Sequence, residues 1–309
     1  MSDNLNSQKT KSLCDSYSDS RIRYIGQSTN LGPVGNPNFC LSTCKGKYLI
    51  IMHDDDYFLP EFLEEIDQLL DAHPSASWAI ANVRLKRQGI GFDDDGHSQL
   101  LNDRFNDEFQ PSGRHFFQKI LAQQIKIAMP AVVYRNEICD QIRFDDNLIA
   151  LCDLQMWLDL SLRYNAVYYA RPDFVYCIGN QNGSIDRAHE GTFFLDALKL
   201  INWLESEHTK VLTKREVFIV KCKLLFSHSI IVLWMLYRHP ISNKSQLVSS
   251  LQQANSVVAS ILLQIIKFPV LIRFIGLIGD SVRFLIKIIR MLYKHGSALK
   301  ANFNFTAKG

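Results

Sequence analysis

The most constraining feature of the sequence is a run of three acidic residues, Asp54–Asp56, directly after a short apolar segment. Residues Tyr48–Met52 follow Gly46, and their length and composition are typical of a strand that is buried on both faces. Three neighbouring carboxylates repel one another, and a bound divalent cation is the usual reason for such a cluster, because hard ions prefer carboxylate oxygen. The carboxyl end of a strand is also where open α/β sheets bind their ligands.

A simpler interpretation of the acidic run is a polar turn that caps the helix predicted from Pro60 to Leu70. Negative charge favours the positive end of the helix dipole, but one capping Asp would be enough for that purpose. The run Asp54–Asp56 therefore favours a metal–phosphate site. A second acidic run, Asp93–Asp95, follows Gly-Ile-Gly-Phe and is typical of a solvated turn. It lies in the polar loop 88–111, whose length is typical of lids and acceptor-binding segments.

The composition is that of a globular protein with one large domain or two ordinary ones. The chain has 309 residues, of which 47% are hydrophobic and 21% charged. A net charge of +3 gives no argument for nucleic acid, and we expect none as a partner. The seven cysteines are odd in number and scattered, and residues 1–20 do not form a signal peptide. These features predict a reducing, cytoplasmic location.

The chain changes character near residue 190. Before it, strands and helices alternate, which predicts an α/β sheet. The chain opens on a predicted helix, Thr10–Tyr17, and the predicted strands are Arg21–Ile25, Ala76–Arg87, Ala166–Ala170 and Phe174–Ile178, with a helix at Leu151–Arg163. After residue 190 strand signals disappear, and helices are predicted at 193–206, 214–238 and 244–260. We therefore predict a first domain over 1–190 and a helical region over 191–309.

The segment 261–294 is strongly apolar but carries regularly placed basic residues. It contains one acid, Asp280, and six cations: Lys267, Arg273, Arg283, Lys287, Arg290 and Lys294. No long window is free of charge, which disfavours a membrane-spanning helix. Two interpretations remain open for this segment. One is an amphipathic helix pair on an anionic membrane face, and the other is ordinary helical packing.

Four segments, taken in order, resemble the family 2 glycosyltransferases, which have the GT-A fold. They are Ser2-Asp3-Asn4 with Thr10, Arg21–Tyr24 followed by Asn30-Leu31-Gly32-Pro33 and Asn38, the run Asp54–Asp56 with Pro60, and Phe144-Asp145 followed by Cys152-Asp153 and Trp157. The resemblance extends from Met1 to about Arg187 and implies an α/β, Rossmann-like mixed sheet followed by an α-helical C-terminal region. The first strand, first helix and second strand of the family have no counterpart after Met1, so the expected sheet is incomplete at its N-terminus.

The resemblance implies roles for individual residues. Asp153 would be the catalytic base, and Asp55 and Asp56 would hold Mg²⁺ or Mn²⁺ in the counterpart of the family's Asp-x-Asp motif. The nucleotide-sugar donor would be bound by Asp3, Asn30, Gly32, Asn38, Asp54 and Trp157. The implied reaction is an inverting sugar transfer from a nucleotide-diphosphate donor to a glycan or lipid-linked acceptor in surface polysaccharide synthesis. The acceptor would be reached at the cytoplasmic membrane face, through peripheral contact by 261–294.

Together with the missing first strands, three further departures from the family pattern support a second hypothesis. His53 takes the place of the first Asp of the acidic motif, and Cys152 replaces the Glu of the pair at Asp153. The segment Tyr176–Ser184 keeps Tyr, Asn and Ser but lacks the Arg and His of the family's closing motif. A degenerate, non-catalytic module that docks on a membrane or a partner enzyme would have such losses. A Mg²⁺-dependent phosphatase or nucleotidyltransferase is a third, weaker hypothesis, because no Thr or Lys companion lies next to Asp54.

Overall fold

The fold is built on a mixed β-sheet. The computed structural model describes residues 1–87, 99–102, 105, 107–178, 192–207, 212–238, 248–249, 251–252 and 257–266. Within these residues the main sheet has six strands: β3 (Tyr48–Ile50), β4 (Tyr57–Phe58), β5 (Ala76–Arg87), β6 (Gln99–Leu100), β7 (Val132–Arg135) and β8 (Asn165–Ile178). The strand order is β3-β7-β5-β8-β4, with β6 paired to β5. Only β5 and β8 are parallel neighbours, and the other pairs are antiparallel. The predicted mixed sheet is therefore confirmed.

A small second sheet lies at the start of the chain. It consists of β1 (Ser2–Asp3) and β2 (Ile25–Gly26), which run parallel on either side of α1 (Gln8–Ser16). The prediction that the chain opens on a helix was wrong, because Ser2 and Asp3 form a ladder with Ile25 and Gly26. The predicted strand Arg21–Ile25 is replaced by the two-residue strand Ile25–Gly26. Only these two residues pair with Ser2 and Asp3.

The helices after α1 agree with most of the predicted ones. They are α2 (Gly32–Thr43), α3 (Phe62–Ala72), α4 (Gly113–Leu121), α5 (Asn136–Cys139), α6 (Cys152–Arg163), α7 (Thr192–Glu207), α8 (Lys214–Arg238) and α9 (Val257–Ile266). The chain divides into two compact units, one of residues 1–185 and 196–222 and the other of residues 186–195 and 223–309. The predicted boundary near residue 190 stays a prediction. In the described part of the chain, no helix has both the length and the apolar character that a bilayer crossing requires.

Helix α3 packs on the sheet through one apolar face. Phe62, Ile66, Leu69 and Leu70 recur at helical spacing, and all four are buried in a core that includes residues of β5, β7 and β8. The ring of Phe62 meets that of Phe174 edge to face, with ring centres 5.8 Å apart. Because the acidic run lies between β3 and this helix, the packing of α3 fixes the end of the acidic segment.

Strand β3 is less buried than the sequence predicts. Tyr48, Leu49 and Ile50 are half-buried, so the prediction of a strand that is covered on both faces was wrong. The physical reason is position, because β3 lies at one end of the strand order and pairs only with β7. At this exposed edge, the hydroxyl of Tyr48 donates a hydrogen bond to Asp71 of α3 at 3.1 Å.

The predicted strands Ala166–Ala170 and Phe174–Ile178 form one continuous strand, β8, with a bulge between them. Ala81 lies opposite Tyr169, whereas Val83 lies opposite Phe174, so four residues of β8 face one residue of β5. The side chain of Asn82 fills the irregularity. Its amide donates to the carbonyl oxygens of Asn102 and Ala170, both at 3.2 Å. Its oxygen accepts from the N–H groups of Val83 and Asn102.

Replacing Asn82 by Ala is expected to lower the free energy of unfolding by about 2–4 kcal/mol, because buried backbone groups at the bulge lose their partners. Asn82 is 1% exposed, so water does not replace those partners without a rearrangement. Urea denaturation measures the change. Gln68→Ala, on the exposed face of α3, is the control and should change stability by less than about 0.5 kcal/mol. Equal effects of the two substitutions would contradict this role for Asn82.

Candidate active site

The acidic run forms a turn between β3 and β4, and its three carboxylates differ in environment. Asp54 and Asp55 are exposed, whereas the side chain of Asp56 has no exposed surface. The backbone N–H of Cys177, near the end of β8, donates a hydrogen bond to Asp56 Oδ1 at 2.8 Å. Asp56 therefore ties the acidic turn to the end of a strand that lies far away in sequence.

His53 joins two of the acids in a possible metal site. One ligand atom each from His53, Asp55 and Asp56 lie within 4.8 Å of one another, and no other such group of three occurs among the described residues. His53 Nδ1 lies 3.6 Å from Asp56 Oδ2. Asp54 is not a member of this group. Sequence reasoning treated His53 only as the loss of an Asp, although its position three residues before Asp56 in a tight turn was a signal that it faces that carboxylate.

The electrostatics of Asp56 fit a cation. Burial raises the pKa of Asp56 from its ordinary value of 3.8 to about 6, and the charges of Asp55 and Asp54 add to this effect, while the N–H of Cys177 opposes it. The buried Oδ2 atom of Asp56 has no hydrogen-bond partner. A buried carboxylate oxygen without a hydrogen bond, beside a second carboxylate and an imidazole, is a donor set that suits a divalent ion. The residues present therefore fit the metal that the resemblance implies.

In the metal-free protein, Asp56→Asn is expected to be more stable than the original chain by about 1–3 kcal/mol near pH 8. The pKa of Asp56 in the folded state exceeds its ordinary value, so proton binding stabilises the folded protein. That stabilisation is complete below about pH 4 and is lost as the pH rises through about 6. The stability difference between the two proteins should therefore shrink on acidification, as measured by urea denaturation in the presence of a chelator. The exposed Asp54→Asn is the control, and a difference for Asp56→Asn that does not vary with pH would contradict the account.

The candidate base, Asp153, lies in the first turn of α6 and is half-buried. Its Oδ1 accepts a hydrogen bond from the N–H of Leu154 at 2.6 Å. Trp157 lies one turn further along and is buried. Burial raises the pKa of Tyr134 on β7, the side chain of Trp157 opposes this effect, and the charge of Asp153 adds to it. Tyr134 also lies opposite Leu49 of β3, the strand that precedes the acidic turn. Tyr134 of β7 therefore lies between Asp153 and β3.

The structure brings Asp3, Asn30 and Gly32 together at the second sheet. Asn4 links the two segments, because its side-chain oxygen accepts from the N–H of Leu31 and its amide donates to the carbonyl of Gly32. Gly32 has a φ of +74°, a left-handed conformation that favours glycine, and Asn30 Oδ1 accepts its N–H at 2.8 Å. Sequence reasoning did not assign a linking role to Asn4.

The carboxylate of Asp3 is already engaged by its own loop. It accepts hydrogen bonds from the N–H groups of Ser7 and Leu5 and from the hydroxyl of Tyr24. The hydrogen bond from Ser7 is the main cause of the lowered pKa of Asp3. A nucleotide base that uses Asp3 would therefore have to share this carboxylate or replace one of these donors.

Asn38 has a clear structural partner. Its amide nitrogen donates to the carbonyl oxygen of Phe144 and its side-chain oxygen accepts from the N–H of Phe144, both at 2.9 Å. Both polar groups of Asn38 are therefore used to hold the segment that leads to α6. Binding of the nucleotide sugar by Asn38 stays a prediction, and these contacts give the residue another role.

Several predictions concern residues outside the described part of the chain. They are the acidic run Asp93–Asp95, residues 179–184 of the closing segment, most of the predicted helix 244–260, and residues 267–294 of the basic segment.

The comparison with known families concerns the first part of the chain. Residues 2–127, which contain the small sheet, the acidic turn and α3, match the family described as Glycosyl transferase family 2. This match to the family 2 glycosyltransferases covers less than half of the chain. Asp153 and Trp157 lie beyond the matched residues. The predicted family and its GT-A fold are confirmed.

A curated relative is also described as a glycosyltransferase. The chain is 24% identical over 160 residues to the uncharacterized glycosyltransferase MJ1057 of Methanocaldococcus jannaschii. The aligned residues make up 50% of this chain and 51% of the relative. The chain therefore spans about half the length of that curated relative.

One solved structure resembles the fold of this chain, and a second is less similar. The crystal structure of residues 1–349 of TarS from S. aureus has a TM-score of 0.50 and 14% identity, over 91% of this chain and 80% of that one, and this likeness concerns the fold alone. Mannosyltransferase PcManGT from Pyrobaculum calidifontis, in complex with GDP-Man and Mn²⁺, has a TM-score of 0.47 and 10% identity, over 89% of this chain and 76% of that one. A TM-score at that level supports no functional conclusion.

Proposed function

We propose that this protein is an inverting, metal-assisted glycosyltransferase that moves a sugar from a nucleoside-diphosphate donor to a hydroxyl group of a glycan or lipid-linked acceptor. The observation that carries the proposal is the group of His53, Asp55 and Asp56, whose ligand atoms lie within 4.8 Å of one another inside the family 2 domain. A cation site of this kind next to the end of β8 suits a diphosphate leaving group, since the departing oxygen gains negative charge.

The metal is proposed to be Mn²⁺ or Mg²⁺, held by Asp55 and Asp56 with His53 as a further ligand. The imidazole makes Mn²⁺ the better match, because nitrogen ligands suit first-row transition ions more than they suit Mg²⁺. When bound, the ion would neutralise charge on the diphosphate. Asp54, which is exposed beside this group, is proposed to contact the donor together with Asp3, Asn30, Gly32 and Trp157.

Asp153 is proposed to act as the general base. The acceptor hydroxyl would give its proton to the carboxylate of Asp153 as the hydroxyl oxygen bonds to the anomeric carbon and the bond to the diphosphate breaks. The position of Asp153 supports this role, since the residue is only half-buried in the first turn of α6. Attack on the face opposite the leaving group inverts the anomeric configuration.

The acceptor is proposed to belong to surface polysaccharide synthesis at the cytoplasmic membrane face. The excess of basic residues in 261–294 supports attraction to anionic lipids. In α9, Ile261 is exposed whereas Leu262 is buried, a contrast that suits an amphipathic helix. The division of the chain at about residue 190 into a transferase domain and this helical region remains part of the proposal.

The purified chain should release nucleoside diphosphate from at least one nucleotide sugar in a panel of donors when Mn²⁺ is present. A chelator should stop the release, and an acceptor extract should accelerate it, because transfer to the acceptor is the proposed reaction. The competing hypothesis, a non-catalytic module, is favoured by the lack of the family's Arg and His in Tyr176–Ser184. Vesicle binding without release from any donor would support that hypothesis and contradict ours.

A further inference from the structure

The segment that leads into α6 is held from two sides although it has no helix or strand of its own. We name Phe144–Leu151 the lead-in loop. At one end, Asn38 of α2 forms two hydrogen bonds with the backbone of Phe144. Near the other end, two residues of α7 bind the loop backbone. Lys199 donates to the carbonyl of Asn147 at 2.5 Å, and Asp196 accepts three backbone N–H groups.

Asp196 is the strongest of these tethers. It is 1% exposed, and its Oδ2 atom accepts hydrogen bonds from three consecutive N–H groups, those of Ile149 (2.7 Å), Ala150 (2.5 Å) and Leu151 (3.2 Å). Lys199 Nζ lies 3.7 Å from the other oxygen. A buried carboxylate is costly unless such donors surround it. Hydrogen bonds to a charged acceptor are also stronger than those between neutral groups. The end of the lead-in loop is therefore fixed by charge as well as by shape.

The tether acts close to the candidate base. Leu151 is the residue that precedes the first turn of α6, and Asp153 belongs to that turn. The placement of Asp153 follows from the backbone of this turn, because the residue lies shortly after Leu151, whose N–H group Asp196 binds. Asp196 lies 45 residues from Leu151 in sequence, so α7 sets the position of the first turn of α6 from a distance.

We propose that Asp196 is a positioning residue for Asp153: through the N–H groups of Ile149–Leu151 it holds the start of α6 in the orientation that proton transfer requires. This inference rests on the proposed function. It assigns catalytic importance to a residue of α7 that does not touch the substrate. Small displacements of a reacting group cost about 10²-fold in rate, so a loosened lead-in loop should lower kcat rather than donor binding.

The test compares kcat and the donor KM for Asp196→Asn, Asp153→Asn and the double variant. Asp196→Asn should lower kcat about 10- to 100-fold with a donor KM within about twofold of the original. In the Asp153→Asn background, Asp196→Asn should cause no further loss, because it acts through Asp153. Amide hydrogen exchange of Ile149, Ala150 and Leu151 should accelerate in Asp196→Asn.

Glu216→Gln is the matched control for a purely structural role. Glu216 is also a carboxylate with several partners, since it accepts from Thr213 N and Oγ1 and pairs with Arg114. Its substitution should leave kcat unchanged. The inference would be overturned if kcat fell in proportion to thermal stability in both Asp196→Asn and Glu216→Gln. It would also be overturned if Asp196→Asn lowered kcat further in the Asp153→Asn background.

Two further outcomes separate this inference from the proposed function. If Asp153→Asn is inactive and Asp196→Asn keeps full kcat, the inference fails alone. If Asp153→Asn keeps full kcat, the base assignment fails and the inference fails with it. Should Asp196→Asn not fold, Lys199→Met replaces it, because the Lys199 side chain is 49% exposed and its removal opens no buried cavity. That variant should lower kcat about threefold with unchanged melting temperature, and an unchanged kcat would overturn the inference.

Discussion

Replacing Asp55 by Asn should abolish Mn²⁺-dependent binding of nucleoside diphosphate and lower kcat/KM by at least about 10³-fold. The carboxylate of Asp55 is exposed, and its ligand atom lies within 4.8 Å of those of His53 and Asp56. An amide is a weaker ligand than a carboxylate for a hard divalent ion, so the ion and the diphosphate that it neutralises should be lost together. Calorimetric titration with and without the ion measures the effect directly.

The control for Asp55→Asn is Glu64→Gln, which removes an exposed acid from the first turn of α3 and should leave binding unchanged. Asp54→Asn should have a smaller effect than Asp55→Asn, because Asp54 lies outside the group of ligand atoms. Asp55→Asn with the same metal-dependent binding as the original chain would rule out the acidic turn as the metal site.

Replacing Asp153 by Asn should lower kcat about 10²- to 10⁴-fold while the donor KM changes little. The amide keeps the size of the side chain and its contact with Leu154 but cannot accept the proton of the acceptor hydroxyl. Steady-state kinetics with saturating donor and acceptor give kcat, and donor binding is checked by calorimetry.

Asp159→Asn is the matched control for Asp153→Asn, because it removes an acid from the same helix. Asp159 pairs with Arg163 at 2.6 Å, and this partly exposed ion pair contributes only about 0.5 kcal/mol to stability. Its substitution should leave kcat unchanged. Equal kcat values for the two variants would mean that Asp153 is not the base.

Local patterns in the sequence were enough to predict the elements that depend on periodicity. The apolar face of α3, with Phe62, Ile66 and Leu70, repeats at helical spacing, and the structure buries these residues. The bulge in β8 was not predictable in the same way, because the polar residues between Ala170 and Phe174 look like a turn. Only the ladder with β5, and Asn82 at its centre, makes one strand of the two segments.

The candidate site depends on contacts between residues that are distant in sequence, which the sequence alone does not reveal. Three neighbouring acids look equivalent, but the N–H of Cys177, 121 residues later, singles out Asp56 as the buried one. Asp196 looks like an ordinary acid in an apolar helix, and its three partners lie 45 to 47 residues earlier. The resemblance to a family supplied the candidate residues, and the structure supplied their partners.

The most direct test is a crystal soaked with Mn²⁺ and nucleoside diphosphate, with data collected near the manganese absorption edge. We predict an anomalous difference peak within bonding distance of Asp55 and Asp56, with a diphosphate oxygen on its open side and His53 turned toward it. A peak at another site, or a diphosphate bound away from the acidic turn, would contradict the central claim.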